Sequence, residues 1–246
     1  MTIDGTSHHC CGSRDVLFVL THIPKTGGTS FKRSVIDLNV TQDRVFKYSG
    51  IRSFLSNDLG RYDFVDGHCE FGIHRFCSKR VTYGVILREP IDHAISLYHF
   101  IQQSESARYQ HPLLKATKEK SLVEFMYEYR NPQTKVVAVF PWNRLLPRTS
   151  SILLKLAMMH LSKCYQFVGT LDRIVDFEKA VAKSFNWRVQ PVYETSKKTA
   201  LRPKVDELSV VEQEGLRSAL SLDIKLYEYA RSLEKAPLVE SDAIVP

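Results

Sequence analysis

This 246-residue sequence predicts a single α/β domain built on a parallel sheet. Three observations carry that expectation. Short apolar runs rich in β-branched residues recur along the chain, each followed by a stretch with helical spacing. That alternation gives parallel strands joined by right-handed helical crossovers. A glycine turn with one lysine, PKTGGTS (Pro24–Ser30), follows the first run, VLFVL. HCEFG and REP follow two further runs, and in such sheets ligands bind beyond the carboxyl ends of the strands.

Residues 1–14 are polar and read as a flexible N-terminus, 15–235 as one domain, and 236–246 as a tail. Val16–Leu20 is continuously apolar, as a strand buried on both faces must be. A helix starts inside TGGTS and runs through FKRSVIDL, where Phe31, Val35 and Leu38 recur at helical spacing. Tyr62–Gly67 reads as a second strand and Val81–Leu87 as a third. REPIDHAISLYHFIQQ then forms a helix, with Pro90 in its first turn where the missing N–H costs little. The stretch 104–151 contains one helical segment, SLVEFMYEY. Its remainder, TKVVAVFPWNRLLPRT, reads as irregular, so 104–151 is expected to be an acceptor-side insertion. SILLKLAMMHLS is a helix, YQFVGT a fourth strand and RIVDFEKAVAKSF another helix. One or two amphipathic helices close the chain.

Lys and Arg outnumber Asp and Glu, 34 to 27, for a net charge of +7 and an isoelectric point near 9.1. The excess favours anionic partners. Nucleic acid is not expected, because zinc-finger spacing, RNP-like aromatics and long basic blocks are all missing from the sequence. The five cysteines, Cys10, Cys11, Cys69, Cys77 and Cys164, read as free thiols of a reducing compartment. HHCC (His8–Cys11) has adjacent ligands, which is poor zinc spacing, so no metal is expected there. No run approaches the ~20 apolar residues of a membrane span, and no signal-peptide core is evident. The expectation is a cytoplasmic protein, with a Golgi-lumenal one following only if a leading anchor has been trimmed.

The loop is chemically explicit. Gly27 and Gly28 allow a tight turn that points backbone N–H groups at phosphate oxygens, and the following helix N-terminus adds partial positive charge. Lys25 supplies a full charge, and Thr26, Thr29 and Ser30 supply hydroxyls. The lysine precedes the glycines, so the ATPase signature G-x-x-x-x-G-K-[ST] is absent. So is G-x-G-x-x-G.

HIPKTGGTSF resembles the 5′-phosphosulfate loop of sulfotransferases that use 3′-phosphoadenosine 5′-phosphosulfate (PAPS). The nearest likeness is to the carbohydrate branch with the heparan sulfate 2-O- and 6-O-sulfotransferases and their bacterial relatives. VILREPIDHAISLYHF resembles that family's 3′-phosphate motif, with Arg88 and Ser96 in its arginine and serine places. FVGTLDRIVDFEKAV and DIKLYEYA resemble later elements of the family that shape the fold.

The resemblance implies a P-loop-type sulfotransferase fold, PAPS as donor and 3′,5′-diphosphoadenosine (PAP) as product. The acceptor it implies is a hydroxyl of a carbohydrate or glycosylated molecule, which the basic surface would suit if it were anionic. Pro24, Lys25, Thr26, Gly27, Gly28, Thr29 and Ser30 would hold the 5′ end, and Arg88 and Ser96 the 3′-phosphate. A late basic loop with Ser196, Lys197 and Lys198 would close over the nucleotide, or would be a solvated charge run.

Sulfuryl transfer needs a base for the acceptor hydroxyl and compensation for charge on the leaving phosphate. Lys25 suits the second task. His68, directly after the second strand, suits the first, because uronyl 2-O-sulfotransferases carry a catalytic histidine in a similar Gly-His segment. Other branches use a glutamate, so Glu70 is the alternative base. His68 also admits a purely structural role, closing the strand with a backbone hydrogen bond. His74 is expected to be structural and His93 exposed. NPQTKVVA resembles an acceptor-side element, which would place Asn131, Gln133 and Lys135 near substrate. Tyr98, Phe100, Tyr109, Phe140 and Trp142 are open to two roles, stacking on an acceptor or filling the core. No metal is required, since lysine, arginine and helix dipole provide the positive charge. The alternatives are a P-loop kinase for a small molecule and a nucleotide-binding relative without catalysis.

Overall fold

The computed structural model describes residues 16–69, 71–106, 110–138, 142–190 and 202–234. Its centre is a five-stranded, all-parallel sheet of order β2-β3-β1-β4-β5. The strands are β1 (Val16–Thr21), β2 (Val45–Lys47), β3 (Phe64–Asp66), β4 (Arg80–Leu87) and β5 (Tyr165–Thr170). Helices cover both faces. After β1 come α1 (Gly28–Phe31) and α2 (Asp37–Asn39), joined by a π-helical turn, Lys32–Ile36. Then follow α3 (Ile51–Leu55) and α4 (Pro90–Gln103).

The period of two in β1 explains why its whole run is apolar. Phe18 and Leu20 pack into a cluster with Phe31, Val35, Phe167, Phe177 and Val181, while Leu17 and Val19 enter the opposite cluster with Tyr83, Val85 and Leu87. All six β1 residues are buried. The chain leaves β1 toward β2 on one side and later passes to β4 on the other. The strand order therefore reverses at β1, where an open α/β sheet forms its binding crevice. β2 was not legible in the sequence. Its three residues, VFK, are too short for a pattern, and only pairing with β3, Val45 against Phe64, makes them a strand.

Within 104–151 the helix expected over SLVEFMYEY is present, and the part read as irregular also contains helix. Among the described residues the stretch forms α5 (Leu114–Glu119), α6 (Leu122–Glu128), α7 (Pro132–Val137) and α8 (Trp142–Leu145). Helices this short are not stable alone, so docking and caps must hold them. Ser121 and Glu124 make a reciprocal capping box on α6. Leu114, Phe125 and Met126 join Ile91, Ile95 and Tyr98 of α4 and Leu216 of a later helix in a third cluster. Tyr98 is therefore core, its hydroxyl 3.0 Å from the Thr117 carbonyl and 2.7 Å from that of Lys120. The remaining helices are α9 (Ser151–Lys163), α10 (Ile174–Phe185), α11 (Val210–Ala219) and α12 (Ser221–Glu234). Among the described residues no helix is long and apolar enough to cross a membrane. Cys69, Cys77 and Cys164 are free thiols.

Candidate active site

Parallel pairing of β1 with β3 and β4 brings the segments after them to one edge, and direct hydrogen bonds tie the three together. Arg88 Nη1 donates to the Lys25 carbonyl at 2.8 Å. His93, one turn into α4, contacts the Pro24 carbonyl through Nε2 at 2.8 Å. His68 Nδ1 lies 2.9 Å from the His22 carbonyl.

The loop is built by backbone geometry. Lys25 and Gly27 adopt left-handed conformations, with φ of 70° and 95°. A Cβ at Gly27 would also lie 2.7 Å from Leu171 Cδ1, so that side chain would have to move aside. The Gly27 carbonyl receives the first helical bond, from Phe31 N–H at 3.0 Å. Thr26 is buried, and its hydroxyl donates to the Ile23 carbonyl at 2.9 Å. It therefore braces the turn from within rather than donating outward. Thr29 lies at the helix N-terminus, lining a crevice with His22, Gly28, Lys32, Asp66 and Gly67. The Lys25 ammonium sits 4.7 Å over the ring of Phe100, which is the partly exposed member of the α4 aromatics.

Arg88 is largely enclosed. Its Nε donates to Asp92 at 2.7 Å and its Nη2 lies 2.6 Å from the same carboxylate. Arg202 reaches the other Asp92 oxygen at 2.6 Å. Burial alone would raise the Asp92 carboxyl, but Arg202 and Arg88 outweigh it and hold it below its ordinary value. Ser96 is buried on α4, 2 % exposed.

The bond of His68 settles its tautomer. A carbonyl oxygen only accepts, so Nδ1 is the donor, and whenever the ring is neutral its lone pair therefore sits on Nε2. The structural role and the base role are thus compatible, one on each nitrogen. The His68 side chain is exposed, and its ring stands 4.6 Å from that of His22. His111, whose Nδ1 accepts from Leu113 N–H at 3.1 Å, is held below its ordinary pKa chiefly by burial.

Several expectations change. His93 is not exposed. It is 1 % exposed, and burial pushes its pKa down to about 4, so it is a neutral donor clamping the loop. Asn131 is buried and bonded to backbone N–H groups of α12, and Gln133 grips the Arg88 main chain, so neither side chain faces an open site. His74 is structural, as expected, with Nδ1 2.9 Å from the Tyr83 hydroxyl. Glu70, Tyr109, Phe140, Ser196, Lys197 and Lys198 lie outside the described residues.

The sequence reading missed His22, Asp92, Arg202 and Asp223. His22 adjoins the loop, yet one histidine before a glycine turn has no signature. The chain matches no protein-family model and no curated protein.

The His22 ring explains Gly28. A Cβ there would come within 2.6 Å of His22 Cδ2. Gly28→Ala is expected to destabilise the fold by about 1–3 kcal/mol. Adding His22→Ala should return much of that, a coupling measurable by urea unfolding of both single variants and the double. Strict additivity would contradict the packing.

Proposed function

We propose that this chain is a PAPS-dependent sulfotransferase acting on a hydroxyl of a carbohydrate or glycosylated molecule. The observation that carries the reading is the Arg88 bond to the Lys25 carbonyl. It joins a lysine–glycine loop to a half-buried arginine, side by side at the sheet edge, as a nucleotide with phosphate groups on both its 5′ and 3′ oxygens requires. The likeness of HIPKTGGTSF and REPIDHAIS to the sulfotransferase motifs points the same way.

In this reading Gly27, Gly28 and Thr29 offer backbone N–H groups to the 5′ phosphosulfate, and Lys25 leaves Phe100 to meet the charge. Arg88 holds the 3′-phosphate by sharing its guanidinium between that anion and Asp92, with Arg202 keeping Asp92 compensated. Ser96 is sealed from solvent, so its contact with phosphate requires the side chains around it to part. The acceptor oxygen attacks sulfur in line, forming the new S–O bond while its proton passes to His68 Nε2. The sulfur–oxygen bond to the 5′-phosphate breaks, and its electron pair stays on the phosphate oxygen, compensated by Lys25. The reaction needs no metal.

Asp66 supports a second reading. It ends β3 and lines the crevice with Thr29, a placement suited to a magnesium ion between a carboxylate, a loop hydroxyl and a nucleotide triphosphate. That would make the chain a small-molecule kinase. Calorimetric titration with PAP, AMP and ATP, each with and without magnesium, separates the two. Metal-independent PAP binding, weakened about 10-fold or more by Lys25→Ala and by Arg88→Ala, is the expected result. Preference for ATP with magnesium would replace the sulfotransferase reading with the kinase.

A further inference from the structure

The main chain of Arg88 is held by a side chain distant in sequence. Arg88 N–H donates to Gln133 Oε1 at 3.0 Å, and Gln133 Nε2 donates to the Arg88 carbonyl at 2.9 Å. One amide thus pairs both backbone groups of the residue that follows β4, as a neighbouring strand would. Gln133 is itself buried, 1 % exposed, in the first turn of α7.

A helix of six residues does not fix its own position, so something must hold α7. That holder is Asp223, at the start of α12. Its carboxylate accepts from Gln133 N–H at 3.1 Å, from Thr134 N–H at 2.7 Å and from the Thr134 hydroxyl at 2.7 Å. The grip is returned. Asn131, just before α7, accepts from Leu222 N–H at 3.0 Å and Asp223 N–H at 3.2 Å. Each helix N-terminus is capped by a side chain from the other helix. Asn131 takes a left-handed backbone conformation, φ 50°, to do so, and its own amide donates to the Arg148 carbonyl at 2.9 Å. Three hydrogen bonds onto one enclosed carboxylate leave α7 little freedom relative to α12.

We propose that Gln133 and Asp223 are positioning residues for 3′-phosphate recognition. They set Arg88 through its backbone, and with it the preference for a nucleotide phosphorylated at the 3′ oxygen over one that is not. The inference rests on the sulfotransferase reading. It assigns a role to the C-terminal DIKLYEYA segment, whose Asp223 bonds to Gln133 and Thr134 of α7. The path runs from α12 through α7 to Arg88, and Arg88 in turn braces the loop at Lys25. A carboxylate that merely held the fold together would affect every ligand alike. A carboxylate that aims Arg88 affects the ligand carrying a 3′-phosphate far more than one that lacks it, which feels Arg88 only through its brace on the loop.

The test is the ratio of affinities for PAP and 5′-AMP, measured calorimetrically on the full chain without metal. The proteins compared are wild type, Gln133→Met, Asp223→Asn and Ile101→Val. Ile101 is in the third core cluster, away from the path, and its variant controls for loosened packing. Gln133→Met keeps the length and apolar bulk but loses both bonds to Arg88. Its PAP affinity should fall about 10-fold or more, with AMP affinity changed less than about 3-fold. Asp223→Asn should move the ratio in the same direction, because an amide nitrogen cannot accept from Gln133 N–H. Ile101→Val should leave the ratio at the wild-type value. Circular-dichroism melts establish that each variant folds, and if Asp223→Asn does not, Gln133→Met still decides. Equal losses for both ligands in Gln133→Met, or an unchanged ratio, overturn the inference alone. A wild-type protein that does not prefer PAP removes the sulfotransferase reading and the inference together.

Discussion

His68→Ala is expected to lower kcat by about 10²–10⁴-fold while PAP affinity stays within about 3-fold of wild type. The side chain touches the rest of the protein through the His22 carbonyl and ring, at an exposed position where water can replace the lost bond. The cost to stability should therefore be about 1 kcal/mol or less. His68→Asn sharpens the test. Its amide can donate to the His22 carbonyl much as Nδ1 does, yet it has no basic nitrogen, so it should be as inactive as alanine. Turnover in His68→Asn within about 10-fold of wild type would remove His68 as base and direct the next substitution to Glu70. Loss of PAP binding in either variant would move His68 from the acceptor side to the nucleotide side.

The second large effect is a pH dependence of stability carried by His93. Burial depresses its pKa from 6.5 to about 4, the Pro24 carbonyl opposing this and Arg88 adding to it. Unfolded chains take up a proton near pH 6.5, and the folded chain does not until about pH 4. Stability from this residue is therefore fully present above 6.5 and is lost as pH falls toward 4, by about 3 kcal/mol over the whole window. Asp223 runs the other way. Burial raises it from 3.8 to about 6, so between those values the folded state holds a proton that the unfolded state has released, and stability rises as pH falls. The two windows overlap and largely offset each other in the wild-type curve. His93→Gln isolates the histidine, because glutamine can donate to the Pro24 carbonyl but does not titrate. Between pH 7.5 and 4 the melting temperature of wild type should fall roughly 5–10 °C further than that of His93→Gln. Parallel curves would contradict the buried, neutral assignment.

Buried rather than exposed, His93 also shows where sequence reading stops. On a helical wheel it is a polar residue beside Asp92, and charged or polar pairs at a helix start ordinarily face water. The Pro24 carbonyl, which the strained loop turns toward α4, supplies the partner that lets an imidazole be enclosed. Gln133 is similar. Its neighbourhood was legible as special, but its partner is the backbone of Arg88, 45 residues earlier, and backbone groups have no sequence signature. Asp223 was legible only as part of a C-terminal signature, because reciprocal capping of two helices depends on their meeting.

The strands β1, β4 and β5, the helices after them and the lysine–glycine loop were all determined by the sequence alone. In each, local periodicity, glycine freedom and β-branched content agree with the final fold. β2, the short helices α5, α7 and α8, the donor nitrogen of His68 and the bracing of Arg88 were decided only by the tertiary structure. A three-residue strand, a six-residue helix and an imidazole proton are each too weakly determined by their own neighbours. Each takes its state from a hydrogen-bond partner that only folding brings within reach.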